Sequence, residues 1–141
     1  MKLKIYVSGA WSRKSELKVF AERLKRVGME VTSRWLDIDA SSLEEAAIID
    51  AADIKRCDLV LRWSDSEYTD DSKKDVPRRL LSGARHTEVG MALAWNKQVA
   101  VIGGHQNAFD YLEQVLHFAT FEDFVEWLHV WHDATDYRAA A

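Results

Sequence analysis

The chain reads as an α/β protein: a parallel sheet of five strands with helices on both faces, in a single domain. Three observations predict this class. Short segments rich in β-formers alternate along the chain with segments whose apolar residues recur at helical spacing. Two of the strand-like segments, 58–63 and 98–102, are apolar almost throughout. The length of 141 residues, with 48% hydrophobic and 30% charged, suits one domain around one real core.

Residues 2–8 alternate and favour extended backbone, so they form the first strand, which Gly9 breaks. Over 13–27, Leu17, Phe20, Ala21 and Leu24 fall at i, i+3, i+4 and i+7, the stripe of an amphipathic helix. Gly28 supplies its C-terminal stop. Residues 29–35 are the second strand. Ser42-Leu43-Glu44-Glu45 has the spacing of a capping box and opens a second helix running to about Arg56. Residues 58–63 are the third strand. The stretch 64–81 is polar, lacks periodicity and carries the only proline, so it reads as a long loop, a kind of segment that is often functional. A third helix spans 83–95 and a fourth strand 98–102, which ends in Gly103-Gly104. A short helical turn at 110–113 leads to a fifth strand at 115–118. Thr120 then caps a last helix with Phe121, Phe124, Val125 and Leu128 on its buried stripe. Residues 138–141 read as a tail or cloning scar, which leaves 1–137 as the domain.

A formal charge of −4 argues against general nucleic-acid binding, which favours a basic face. One cysteine, Cys57, cannot make an internal disulfide and reads as a small buried hydrophobe. With no signal peptide and no long apolar run, the expected location is the cytoplasm, with no membrane contact. His129 and His132 stand i, i+3 on the last helix, but no third ligand accompanies them, so no metal site is expected.

Ligands of parallel α/β sheets bind at the carboxyl ends of the strands. Those ends fall at 8–11, 35–37, 63–65 and 103–104, and Trp11, Trp35 and Trp63 all lie there. Large aromatics can simply cover a sheet edge. Three together suggest a flat ligand that stacks, such as a nucleobase. Glu88 falls near the start of the third helix, whose positive end would keep a carboxylate ionised. Asp50 follows Ile48 and Ile49 on the second helix and by itself reads as a partly exposed helix carboxylate. Asp58 reads as structural, between helix and strand. Ser12 and Arg13 follow Gly9 at a strand–helix turn, where backbone N–H groups favour anions. Ser82 and Arg85 offer a second anion contact, or else a helix cap beside a solvated arginine. His86 is a cleft or surface residue, and nothing marks a nucleophilic serine.

Four segments resemble the nucleoside 2-deoxyribosyltransferases and the related 2'-deoxynucleoside 5'-monophosphate N-glycosidases. They are Lys4-Ile5-Tyr6-Val7-Ser8-Gly9-Ala10-Trp11, the pair Asp50 and Asp58 in 50–61, the helix from Gly83 through Glu88-Val89-Gly90 to Ala94, and the strand 97–103. The tail 120–128 is also similar, so the likeness spans most of the chain. It implies a flavodoxin- or Rossmann-like fold with Glu88 as nucleophile, Tyr6 orienting it, and Asp50 holding the sugar or moving a proton at the leaving base. It also implies Trp11 packed on the base, a nucleoside or nucleotide as substrate, no cofactor, and a homo-oligomer whose sites a neighbouring subunit completes, with Tyr137 as such a contribution. Transferases carry an acidic residue six positions before the glutamate. Here that residue is Ser82, as in the phosphate-recognising N-glycosidases, whereas Trp11 is more transferase-like. The first expectation is a glycosyltransferase that passes deoxyribose from one nucleobase to another through a deoxyribosyl-glutamate. The alternatives are hydrolysis of a 2'-deoxynucleoside 5'-monophosphate and a non-catalytic nucleotide-binding module.

Overall fold

Five strands pair in parallel in the order β2-β1-β3-β4-β5: β1 (Lys4–Ser8), β2 (Glu30–Val31), β3 (Leu59–Trp63), β4 (Gln98–Ile102) and β5 (Val115–Phe118). The computed structural model describes residues 2–64 and 84–140, with side chains described as far as Trp131. Among the described residues four α-helices cover the sheet: α1 (Lys14–Arg26), α2 (Leu43–Lys55), α3 (Ala84–Ala94) and α4 (Phe121–Ala140). This is the parallel sheet with helices on both faces expected from the alternation of elements, in the flavodoxin-like strand order. Its strand order reverses between β1 and β3, which opens a crevice at their carboxyl ends.

The pleat sorts side chains onto two faces. Ile5 and Val7 of β1, with Leu59, Leu61 and Trp63 of β3, pack against Leu17, Ala21 and Leu24 of α1 and Phe121, Phe124 and Leu128 of α4. Tyr6, Val60, Val99, Val101 and Val115 face the other way, against Ile54 of α2 and Val89 and Ala92 of α3. Each such aliphatic side chain contributes roughly 1.5–3 kcal/mol by leaving water. The candidate residues Tyr6, Asp50 and Glu88 lie on the second face.

Local chemistry sets the element ends. Gly28 adopts φ +94°, and the N–H groups of Gly28 and Met29 bond back to Lys25 and Leu24, closing α1 as a Schellman turn. Ser42 Oγ accepts from the Glu45 N–H, as a capping box requires. The Glu45 carboxylate returns to the backbone and hydroxyl of Ser41 instead of the Ser42 N–H. Thr120 Oγ1 caps α4 through the Asp123 N–H. Asp58 accepts from the Lys4 N–H and ties the start of β3 to β1, which fits its structural reading.

The second strand is shorter than its predicted span of 29–35. Only Glu30 and Val31 pair, and Arg34–Leu36 turn into a 3-10 helix. Ser33 Oγ takes the Val7 N–H, so a side chain replaces the ladder there. Buried Asp53 of α2 then pulls the backbone out of line by accepting both the Arg34 N–H and its Nε–H, each at 2.9 Å. The first helix likewise begins with a 3-10 turn, Trp11–Arg13.

Candidate active site

A cleft of about 630 Å³ lies at the carboxyl end of β1, where the strand order reverses. Gly9, Ala10 and Trp11 form one wall, Trp35, Ile38 and Leu43 another, and Asp50, Arg85 and Glu88 close its inner end. Gly9 is needed for closeness: a Cβ there would stand 2.5 Å from Leu17 Cδ1 of α1. Trp11 is 65% exposed, free to meet a ligand face. Trp35 is fixed by its indole N–H, which donates to the Val7 carbonyl at 2.9 Å.

Glu88 sits in the second turn of α3 and is only 8% exposed. Burial pushes its carboxyl up to about 8; the Tyr6 hydroxyl and the Arg85 guanidinium pull it down, and Asp50 pushes it further up. The expectation that the helix start keeps Glu88 ionised is therefore not met at neutral pH. Loss of hydration outweighs the helix field, which fades beyond the first turn. Asp50 is raised to about 6, chiefly by burial, with Tyr6 opposing and Asp53 adding to the rise. Tyr6 is fully buried, and burial followed by Glu88 and Asp50 drives its hydroxyl well above the ordinary tyrosine range. It stays a proton donor facing two carboxyls.

Among the described residues, five buried polar side-chain atoms lack a hydrogen-bond partner of regular geometry: Tyr6 Oη, Ser8 Oγ, Asp50 Oδ1, Arg62 Nε and Glu88 Oε2. All five lie on the α2–α3 side of the sheet, and Ser8 and Arg62 are register neighbours. Buried polar atoms without partners are rare; of these residues Asp50 and Glu88 line the cleft, where a polar ligand can supply partners, while Tyr6, Ser8 and Arg62 lie behind it. Tyr6 influences both carboxyls, yet the contacts fall short of formed hydrogen bonds. Catalytic hydrogen bonds often tighten only around a substrate.

The remaining expectations divide. Arg85 is 2% exposed and lines the cleft, so the solvated alternative is corrected. Ser12 is exposed and Arg13 half-buried, and neither lines the cleft. The Arg13 guanidinium pairs with Glu16 at 2.8 Å and donates to the Ser64 carbonyl at 3.3 Å, tying the first turn to the end of β3. Trp63 is not a ligand-facing aromatic. It is 3% exposed on the opposite face, stacked with Phe20 and Phe121, because the pleat turns it toward α1 and α4. Cys57 is buried and its thiol is raised to about 11 by burial, as fits a small core residue. Ser82, most of the 64–81 stretch and the Tyr137 side chain lie outside the described residues. Among the described residues, no three His, Cys, Asp or Glu are grouped to hold a metal, and no helix is long and apolar enough to cross a membrane.

Sequence reasoning missed a second polar cluster behind the cleft. Arg62 of β3 and Asp110 form a bidentate pair, both bonds 2.7 Å and both side chains fully buried. Arg62 also reaches Ser64 Oγ at 3.2 Å and His86 Nδ1 at 3.4 Å, and Asn107 Nδ2 lies 3.0 Å from the same His86 nitrogen. Asn107 Oδ1 accepts from the Phe109 N–H, which leaves Nδ2 as the donor toward His86. Nδ1 therefore accepts from two donors and carries no proton itself. The one legible signal was a lone arginine inside an otherwise apolar strand.

No family model and no curated protein matches this chain. Solved structures do. A CMP N-glycosidase of Clostridium botulinum, BcmB, is 19% identical with a TM-score of 0.56, over 90% of this chain and 98% of that one. A conserved protein of Enterococcus faecalis V583 is 12% identical with a TM-score of 0.62, over 89% and 96%. The solution structure of BlsM is 14% identical with a TM-score of 0.52, over 84% and 82%. At these identities the likeness establishes a shared fold.

Proposed function

We propose that this protein cleaves the N-glycosidic bond of a nucleoside or nucleoside 5'-monophosphate, with the Glu88 carboxylate attacking C1'. The observation that carries this reading is a single cleft lined by Glu88, Asp50 and Trp11, with the Tyr6 hydroxyl buried behind the two carboxyls and within their electrostatic reach. The named activity of the Clostridium botulinum neighbour supports it, and so does the resemblance to deoxyribosyltransferases.

Glu88 and Asp50 titrate in the order about 8 and about 6, so at neutral pH the pair holds one proton, mainly on Glu88. Moving it to Asp50, past the Tyr6 hydroxyl that faces both, gives an ionised nucleophile and an acid for the leaving base. Positive charge developing at C1' favours that arrangement beside Glu88. The Glu88 oxygen then bonds to C1', the C1'–N bond breaks, and the base nitrogen takes the Asp50 proton. In the second step an acceptor attacks C1', yields its proton to Asp50 and frees the carboxylate. Configuration at C1' is retained.

Water as the acceptor gives hydrolysis and a second base gives transfer. We favour hydrolysis because a solved neighbour that is named for its activity is an N-glycosidase. Exposed Trp11 favours the transfer reading, since it leaves room for a base to stack and exchange. Incubation with ribo- and 2'-deoxynucleosides and their 5'-monophosphates, with and without a second base, tests both. Free base and free sugar support hydrolysis; a new nucleoside formed only with added base supports transfer. Nucleoside bound without turnover would favour a binding module.

A further inference from the structure

Arg85 lies beside Glu88 in the cleft wall, and its guanidinium helps hold the Glu88 carboxyl down. Its Nε–H donates to Gln106 Oε1 at 3.4 Å, across from α3 to the segment after β4. Gln106 is itself fixed: its backbone N–H donates to Asp110 Oδ2 at 2.7 Å. Asp110 in turn is held by both Nη atoms of Arg62 on the central strand. The same Arg62 meets His86, the residue next to Arg85.

A buried ion pair adds little stability compared with apolar residues of the same volume. This pair is fully buried, and its outward bonds run to Ser64 at the end of β3, to the start of α3 and to the 106–107 segment. That pattern points to alignment of the cleft wall. We infer that Gln106 is a positioning residue, which with the Arg62–Asp110 pair behind it keeps the Arg85 guanidinium in line with Glu88. This rests on the glycosidase reading for its consequence, though not for the placement itself. The side chain most affected, Glu88, is two steps from Gln106, so the effect is electrostatic and not a direct contact.

The test is a titration of the full-length protein carrying carboxyl-13C glutamate, followed by NMR, alongside base release measured against pH. The Glu88 signal is assigned with Glu88→Gln. In Gln106→Leu the Glu88 midpoint is expected to rise by about 0.5 or more, with kcat/KM at neutral pH down roughly 3- to 10-fold and KM little changed. The paired change Arg62→Met with Asp110→Leu removes the support without stranding a buried charge, and is expected to move the midpoint the same way. A folded Gln106→Leu protein with an unmoved Glu88 midpoint would overturn the inference. A moved midpoint in a protein that releases no base would uphold the placement and overturn the glycosidase reading instead.

Discussion

Tyr6 and Glu88 each perturb the other's ionisation from opposite sides of the α2–α3 core. The tyrosine hydroxyl lowers the Glu88 carboxyl, and the carboxylate raises the tyrosine. Neither Tyr6 Oη nor Glu88 Oε2 has a hydrogen-bond partner of regular geometry among the described residues. Tyr6→Phe should therefore separate function from folding. Removing a hydrogen bond that strengthens as Glu88 ionises should lower kcat roughly 10- to 100-fold. Removing an unpartnered buried hydroxyl should leave the Tm unchanged or raise it. Parallel melting curves and initial rates check both.

The pH profile of kcat/KM should be a bell with limbs near about 6 and about 8, because in the proposed mechanism the singly protonated Asp50–Glu88 pair is the working form. Asp50→Asn should turn the bell into a simple rise with pH, slower at every point. Only Glu88 then needs to lose a proton, and its midpoint should drop because Asp50 no longer raises it. A bell that survives Asp50→Asn would remove Asp50 from proton transfer.

Stability should carry the opposite signature. Glu88 has a folded-state midpoint of about 8 against an ordinary value of 4.5, so the folded state binds more protons between them. Its contribution is most favourable below about 4.5 and is lost as pH rises through about 8. Glu88→Gln should thus be more stable than the parent at pH 8, by on the order of 4 kcal/mol. The two should converge below pH ~4.5, the unfolded carboxyl range. Urea melts across this range measure the difference.

Trp11 is the exposed wall of the cleft, so Trp11→Ala should leave stability within ~0.5 kcal/mol. Loss of the stacking face should raise KM about 10-fold with kcat less affected.

Much of this was legible along the chain. β4 and β5 keep their predicted bounds; in β4 the apolar run 99–102, closed by Gly103-Gly104, leaves little choice of register. Glu88, Asp50, Gly9, Trp11 and Arg85 meet at one cleft because the strand order brings their elements together. What stayed hidden depends on partners distant in sequence. The bend after Val31 is made by Asp53, nineteen residues beyond Arg34. Arg62 pairs with Asp110, 48 residues away. The raised Glu88 carboxyl depends on burial and on Tyr6 and Asp50, which come from other elements, and helix position alone does not reveal that. A place at a strand end groups Trp63 with Trp11 and Trp35, whereas the pleat turns it into the opposite core.

The buried pair should show strong non-additivity. Arg62→Met alone leaves the Asp110 carboxylate buried without its cation and should cost ~3–5 kcal/mol. The double change with Asp110→Leu should recover most of that loss. Equal costs for the single and double variants would mean the pair is not a coupled unit.

The covalent role of Glu88 is tested most directly by acid-quenching the protein during turnover and measuring its intact mass, then mapping the modified peptide. The account predicts a population heavier by one sugar, or one sugar phosphate, attached at Glu88, and no adduct or base release in Glu88→Ala. Base release that continues undiminished in Glu88→Ala would contradict it.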